Sequence, residues 1–163
     1  HEGSAPPLWG YHQPSIVRVG EKLYAGITEA WGEGRKRRWI LFERSESGWS
    51  QVYASSRESQ LGQPPLLLAA PRGKLHVFVW TDGACNHLCF DPEGNLGNPV
   101  HEFPDIAPKT LGPYAGAAVD AAGDIVVITS PRPAHLYAYR KAGTAEWVTG
   151  TAVPHAPRPE SPS

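Results

Sequence analysis

The chain has 163 residues, 40% hydrophobic and 19% charged, the size and balance of one globular domain. Its 15 basic and 16 acidic residues give a formal net charge of -1 with the histidines neutral, so it lacks the basic stripe that nucleic-acid binding needs. No apolar run reaches the ~18 residues of a membrane-spanning helix, and 17 Gly with 17 Pro, set mostly at regular turns, indicate a turn-rich all-β chain.

Residues 1–10 form a Pro-containing lead-in, and the start at His1 rather than Met reads as a chain processed or cut from something larger. The first unit spans residues 11–57. Gln13-Pro14 opens a hydrophobic run over 15–19, and Gly20-Glu21-Lys22 turns it into a second over 23–28. A polar loop over 29–38 leads to the alternating Trp39-Ile40-Leu41-Phe42-Glu43-Arg44, then to Ser45-Glu46-Ser47-Gly48 and a last run over 49–54. These are four short β-type runs separated by turn residues.

Gln63-Pro64 begins the pattern again for a second unit over 63–106. Its runs are 66–70, 75–80, 87–90 and 99–103, with Gly73-Lys74 as the first turn. A third unit covers 112–153, with runs at 115–119, 125–129, 135–139 and 147–151 and Gly123-Asp124 in the equivalent turn. Residues 154–163, with Pro157, Pro159 and Pro162, read as a Pro-rich tail or linker.

A period of about fifty residues, four strands each, is the signature of a β-propeller blade. A twisted four-stranded sheet has two faces, and a blade covers both only by packing against neighbours. Closed rings have about 4–8 blades. Three blades are therefore expected to be about half of a six-bladed ring, completed by blades of the same parent chain or by a second copy as a homodimer.

If Cys85 and Cys89 lie on one straight strand they share a face about 13 Å apart, too far for a disulfide, whereas a bend at the loop would bring them together. With His87 they match no standard zinc spacing, so neither a metal nor another cofactor is expected. The basic run Arg35-Lys36-Arg37-Arg38 falls in the first long loop, where solvation or contact with an anion both fit.

In a propeller the inner strands converge on a central channel, and the loops joining second to third strands crowd one end of it. The leading positions are His12 and Gln13, then Gln63, then Tyr114. The loops add Glu29, Trp31 and Arg35, then Trp80, Asp82 and His87, then Arg132 and His135. Aromatic faces, amides and a few charges suit a sugar, which has apolar C–H faces and rims of hydroxyls. Gln13 and Gln63 recur at one blade position and equally fit a structural hydrogen bond. Trp80 ends a strand and fits either core or cleft, whereas Trp39, Trp49 and Trp147 are expected to pack blade against blade.

The first unit resembles the opening blade of the sialidase (neuraminidase) superfamily with its bacterial neuraminidase repeats. There the first inner strand begins Tyr/Phe-Arg-Ile-Pro, and Tyr11-His12-Gln13-Pro14-Ser15-Ile16-Val17 stands in that place. Leu23-Tyr24-Ala25-Gly26-Ile27-Thr28-Glu29 is similar to the family's next strand and loop. Arg44-Ser45-Glu46-Ser47-Gly48-Trp49 echoes its Asp-box turn without the Asp, and the stretch from Lys141 to Trp147 echoes it more faintly. The resemblance implies a carbohydrate ligand and favours an extracellular or periplasmic setting.

The family's first carboxylate-gripping arginine is His12 here, and imidazole cannot reproduce a guanidinium fork. The expectation is a glycoside hydrolase or polysaccharide lyase that is not a true sialidase, with His12, Glu29 and Tyr114 as its catalytic candidates. Gln13, Trp31, Arg35, Gln63, Trp80, Asp82 and Arg132 are the substrate-binding candidates. The alternative expectation is a non-catalytic module that binds glycans or proteins through the same rim.

Overall fold

The computed structural model describes residues 15–30, 37–55, 64–99, except 82–83, then 101–106, 115–129 and 134–154. Twelve strands occur among them, with one three-residue 3-10 turn at Pro71–Gly73 and no α-helix. Sheet 1 comprises β1 (Ile16–Val19), β2 (Lys22–Ala30), β3 (Arg37–Ser45) and β4 (Gly48–Ala54). Sheet 2 comprises β5 (Leu66–Ala70), β6 (Lys74–Thr81), β7 (Ala84–Phe90) and β8 (His101–Ile106). Sheet 3 comprises β9 (Ala115–Val119), β10 (Ile125–Thr129), β11 (Ala134–Arg140) and β12 (Val148–Pro154). Each sheet is antiparallel with its strands in sequence order, the meander that the repeat predicts.

The first hairpin of every sheet turns at an equivalent glycine in the left-handed region: Gly20 at φ 58°, Gly73 at φ 73° and Gly123 at φ 96°. Glycine occupies that conformation without a Cβ clash, so the repeated turn is written directly in the sequence. Other boundaries move. β7 starts at Ala84 rather than 87, and β8 lies at His101–Ile106 rather than 99–103. Arg37 and Arg38, expected in the loop, begin β3.

Sheet 2 is the middle layer. Leu67, Leu75, Val77, Val79, Leu88 and Phe90 pack with Val19, Tyr24, Trp39 and Leu41 of sheet 1. The alternate residues Leu66, Leu68, Phe78, Trp80 and Cys85 pack with Ala115, Ile125, Val127 and Ala138 of sheet 3. Period-two alternation thus divides each sheet-2 strand between two cores. The first strands contact in succession, β1 with β5 and β5 with β9, so the sheets meet along their first strands as well as face to face.

Trp39, 3% exposed, stacks near Tyr53 and Phe90 at centroid distances of 4.7 and 6.1 Å, and Trp147 packs against the sheet 2–sheet 3 core. Both fulfil the packing role expected of them. Trp49 does not: it is 47% exposed on β4, directly after a turn closed by Ser45 and Ser47, and joins neither core.

The far sides of sheets 1 and 3 differ from the covered ones. Ile16 pairs with Ala25 on the side of sheet 1 turned from sheet 2 and is 59% exposed, while Ile40 on that side is fully buried. On the corresponding side of sheet 3, Ile128 and Val148 are 43% and 58% exposed.

Gly26 is a point of close approach between sheet 1 and the start of β5. A Cβ there would stand 3.2 Å from two side-chain atoms of Pro65 and 3.3 Å from Leu67 Cδ2. Gly116, with open space around its Cα, is the control. We expect Gly26→Val to cost about 1–3 kcal/mol of unfolding free energy in urea, as overpacked cores do. Gly116→Ala should stay within about 1 kcal/mol of the parent. Equal effects at the two sites would show that sheet 1 does not bear on sheet 2 at Gly26.

Candidate functional site

Of the residues singled out in the sequence, His12, Gln13, Trp31, Arg35, Gln63, Asp82, Tyr114 and Arg132 lie outside the described residues. Glu29 and Trp80 lie within them. Glu29, 5% exposed at the end of β2, accepts a charge-assisted hydrogen bond from Arg38 Nε on the neighbouring strand. The pair ties β2 to β3 where the long loop leaves, a structural use of both side chains. Trp80 is 6% exposed and part of the sheet 2–sheet 3 core. His135 is half-buried at the start of β11.

His87 is fully buried on β7. Its ring stacks on Phe78 at 4.4 Å and 6°, meets Trp147 edge-on at 5.4 Å, and hydrogen-bonds His76 through Nε2 to Nδ1 at 2.8 Å. Burial first, then the charges of His76 and Arg140, push its pKa down to about 2. Burial and these contacts favour its neutral form at neutral pH and make it a packed hydrogen-bonding group.

His76 leads outward to a cleft of about 510 Å³ between sheets 2 and 3. The β5–β6 turn contributes Arg72, β6 contributes Lys74 and His76, and β7 contributes Cys89. Sheet 3 adds Gly123 from the β9–β10 turn, Arg140 at the end of β11, and the following turn through Thr144. The turns among them join first to second or third to fourth strands, so the cleft opens at the end opposite the β6–β7 and β10–β11 connections. Sequence reasoning placed the site at those connections.

Arg140 is 6% exposed, donates from Nη1 to the Thr144 carbonyl at 2.8 Å, and lies 5.8 Å over the Trp147 ring. Burial lowers its proton affinity, but a guanidinium keeps its charge in proteins. Lys74 Nζ donates to Asp91 Oδ2 at 2.6 Å, and this pairing holds the Asp91 carboxyl below the usual range. Burial raises the pKa of the Cys89 thiol, 3% exposed, so the cleft floor carries a protonated sulfur. Cys85 and Cys89 are both free thiols on β7.

Arg72 has φ 63° and ψ 27°, the left-handed region where a residue with a Cβ pays roughly 1–2 kcal/mol relative to the right-handed one. Among the described residues it is the only non-glycine with positive φ. The sequence signal was available: a two-residue positive-φ turn favours Asn-Gly or Gly-Gly, and Arg-Gly stands here. The three cations at 72, 74 and 140 are brought together by the sheet 2–sheet 3 contact, which local pattern does not reveal.

No protein-family model matches the chain, and no curated protein matches it.

The His87 environment has a measurable consequence. Its folded pKa lies below the ~6.5 of an unfolded histidine, so between those values the unfolded chain binds a proton that the folded one does not. Stability must therefore fall as pH drops below about 6.5, by up to ~1.4 kcal/mol per pH unit, or about 2 kcal/mol between pH 7 and 5. Asp91 and Asp124, both held low, withdraw their contributions only below about pH 4. Chemical denaturation at pH 7, 6 and 5 should show the loss, and His87→Phe, keeping an aromatic ring against Phe78, should reduce its slope. An unchanged slope in the variant would mean that His87 titrates normally in the fold.

Proposed function

We propose that the chain supplies three consecutive blades of a β-propeller of sialidase-like type, and that its own activity is to bind carbohydrate at the end carrying the second-to-third-strand connections. The observation that carries the reading is the succession of inner strands, β1 on β5 and β5 on β9, between sheets that cover one another face to face. A radial ring needs that arrangement, and further blades would seat on the sides marked by Ile16 and by Ile128 and Val148. These blades come from the same parent chain or from a second copy.

The carbohydrate part of the reading rests on the resemblance of residues 11–17 and 44–49 to the sialidase superfamily and on the sugar-compatible side chains His12, Gln13, Trp31 and Arg35. Binding is preferred to hydrolase or lyase chemistry because Glu29, the carboxylate nominated as a catalytic partner of His12, is committed to Arg38 within the sheet. An acid shared with a guanidinium is poorly suited to carrying a proton to a leaving group.

Calorimetric titration with neutral and acidic oligosaccharides, and product analysis of the same mixtures, test this. Saturable binding is expected, weakened about tenfold or more by His12→Ala or Trp31→Ala, roughly 1.4 kcal/mol or above, with the oligosaccharides recovered intact. No binding by the parent protein would end the carbohydrate reading. Cleavage that His12→Ala abolishes would replace the binding module with an enzyme.

A further inference from the structure

We propose that the cleft between sheets 2 and 3 is a binding site for a tetrahedral oxyanion, a phosphate or sulfate group carried on a small organic molecule. It lies at the end of the sheets opposite the carbohydrate site proposed above and does not depend on it.

The lining sets the charge of the ligand. Arg72, Lys74 and Arg140 face the cleft, and no Asp or Glu lines it. Lys74 shares its charge with Asp91, and Arg140 feels the nearby Asp124 carboxylate, while Arg72 is exposed; the three cations together set the attraction. Guanidinium forks match the paired oxygens of phosphate and sulfate. Much of the remaining wall is small: Ala70, Ala122, Gly123, Ala142, Gly143 and Ala145. A volume of about 510 Å³ is in the range of small-molecule sites and exceeds what one bare ion fills.

The cations are also preorganised. Arg140 is held by its bond to the Thr144 carbonyl and by the Trp147 ring, so its buried charge is fixed in place before any ligand arrives. Arg72 is kept in a left-handed backbone conformation beside Gly73, where glycine would be the relaxed choice. An unfavourable backbone geometry holding a cation at the mouth of a cationic cleft is the pattern of a functional residue retained against stability. The protonated Cys89 thiol adds no negative charge to the floor.

Position 72 therefore gives a test with two opposed signs. Thermal unfolding of the whole chain is followed with added inorganic phosphate, sulfate or acetate, ionic strength being matched with sodium chloride, and affinity is measured by calorimetry. The parent should show a saturable rise in Tm with phosphate or sulfate that follows ligand linkage, and a much smaller one with acetate. Whichever of phosphate and sulfate binds more tightly identifies the group. Arg72→Gly should have a higher Tm than the parent without anion and an affinity at least tenfold lower. Lys74→Gln, which leaves the turn intact, should also weaken binding, by a smaller factor. The proposal is overturned if the parent shows no saturable shift beyond matched chloride, if acetate binds as tightly as phosphate and sulfate, or if Arg72→Gly binds as well as the parent.

Discussion

Everything in this fold depends on sheet 2 having no polar side to give to water. Residues 75–80 of β6 are all buried, with Leu75, Val77 and Val79 turned to sheet 1 and His76, Phe78 and Trp80 turned to sheet 3. Burying a side chain of Leu, Val or Phe size contributes about 1.5–3 kcal/mol, so exposing either face would cost several such terms. Sheets 1 and 3 are therefore required covers. The same requirement brings the β5–β6 and β11–β12 turns together and so creates the cationic cleft.

The repeat was legible because it is encoded locally. Gly20, Gly73 and Gly123 mark the same hairpin, and hydrophobic runs with Pro or Gly before them locate the inner strands. Legibility fades outward. The third and fourth strands of sheet 2 are read several residues off because β7 begins in Ala84-Cys85-Asn86, a weak strand signal that becomes strand through pairing with Val79, Trp80 and Thr81. Trp49 and Trp147 look alike in sequence, each following a Gly-containing turn. Trp147 finds Phe78 and His87 across an interface, while Trp49 joins neither core and stays about half exposed.

Site chemistry was less legible than fold, for the same reason. His87 resembled a cleft residue because it follows a loop, but its side-chain direction on β7 places it under Phe78 and Trp147 as a buried partner of His76. Glu29 looked available until β3 set Arg38 opposite it. Arg140 and Arg72 are 68 residues apart in the chain, and only the sheet 2–sheet 3 contact makes them neighbours of one space. Among the described residues, Glu29, Arg38 and His87 are polar groups that bind within or between the sheets, and Arg72, Lys74 and Arg140 line the cleft.

Residue-resolved amide hydrogen exchange tests the layered arrangement most directly. If sheet 2 is closed in on both sides, the amides of residues 75–80 exchange slowest, and only through global unfolding. The amides of β4 and β12, at the outer edges of sheets 1 and 3, exchange orders of magnitude faster through local opening. Exchange of residues 75–80 at the rates of β4 would contradict the account, because sheet 2 would then open without losing its covers.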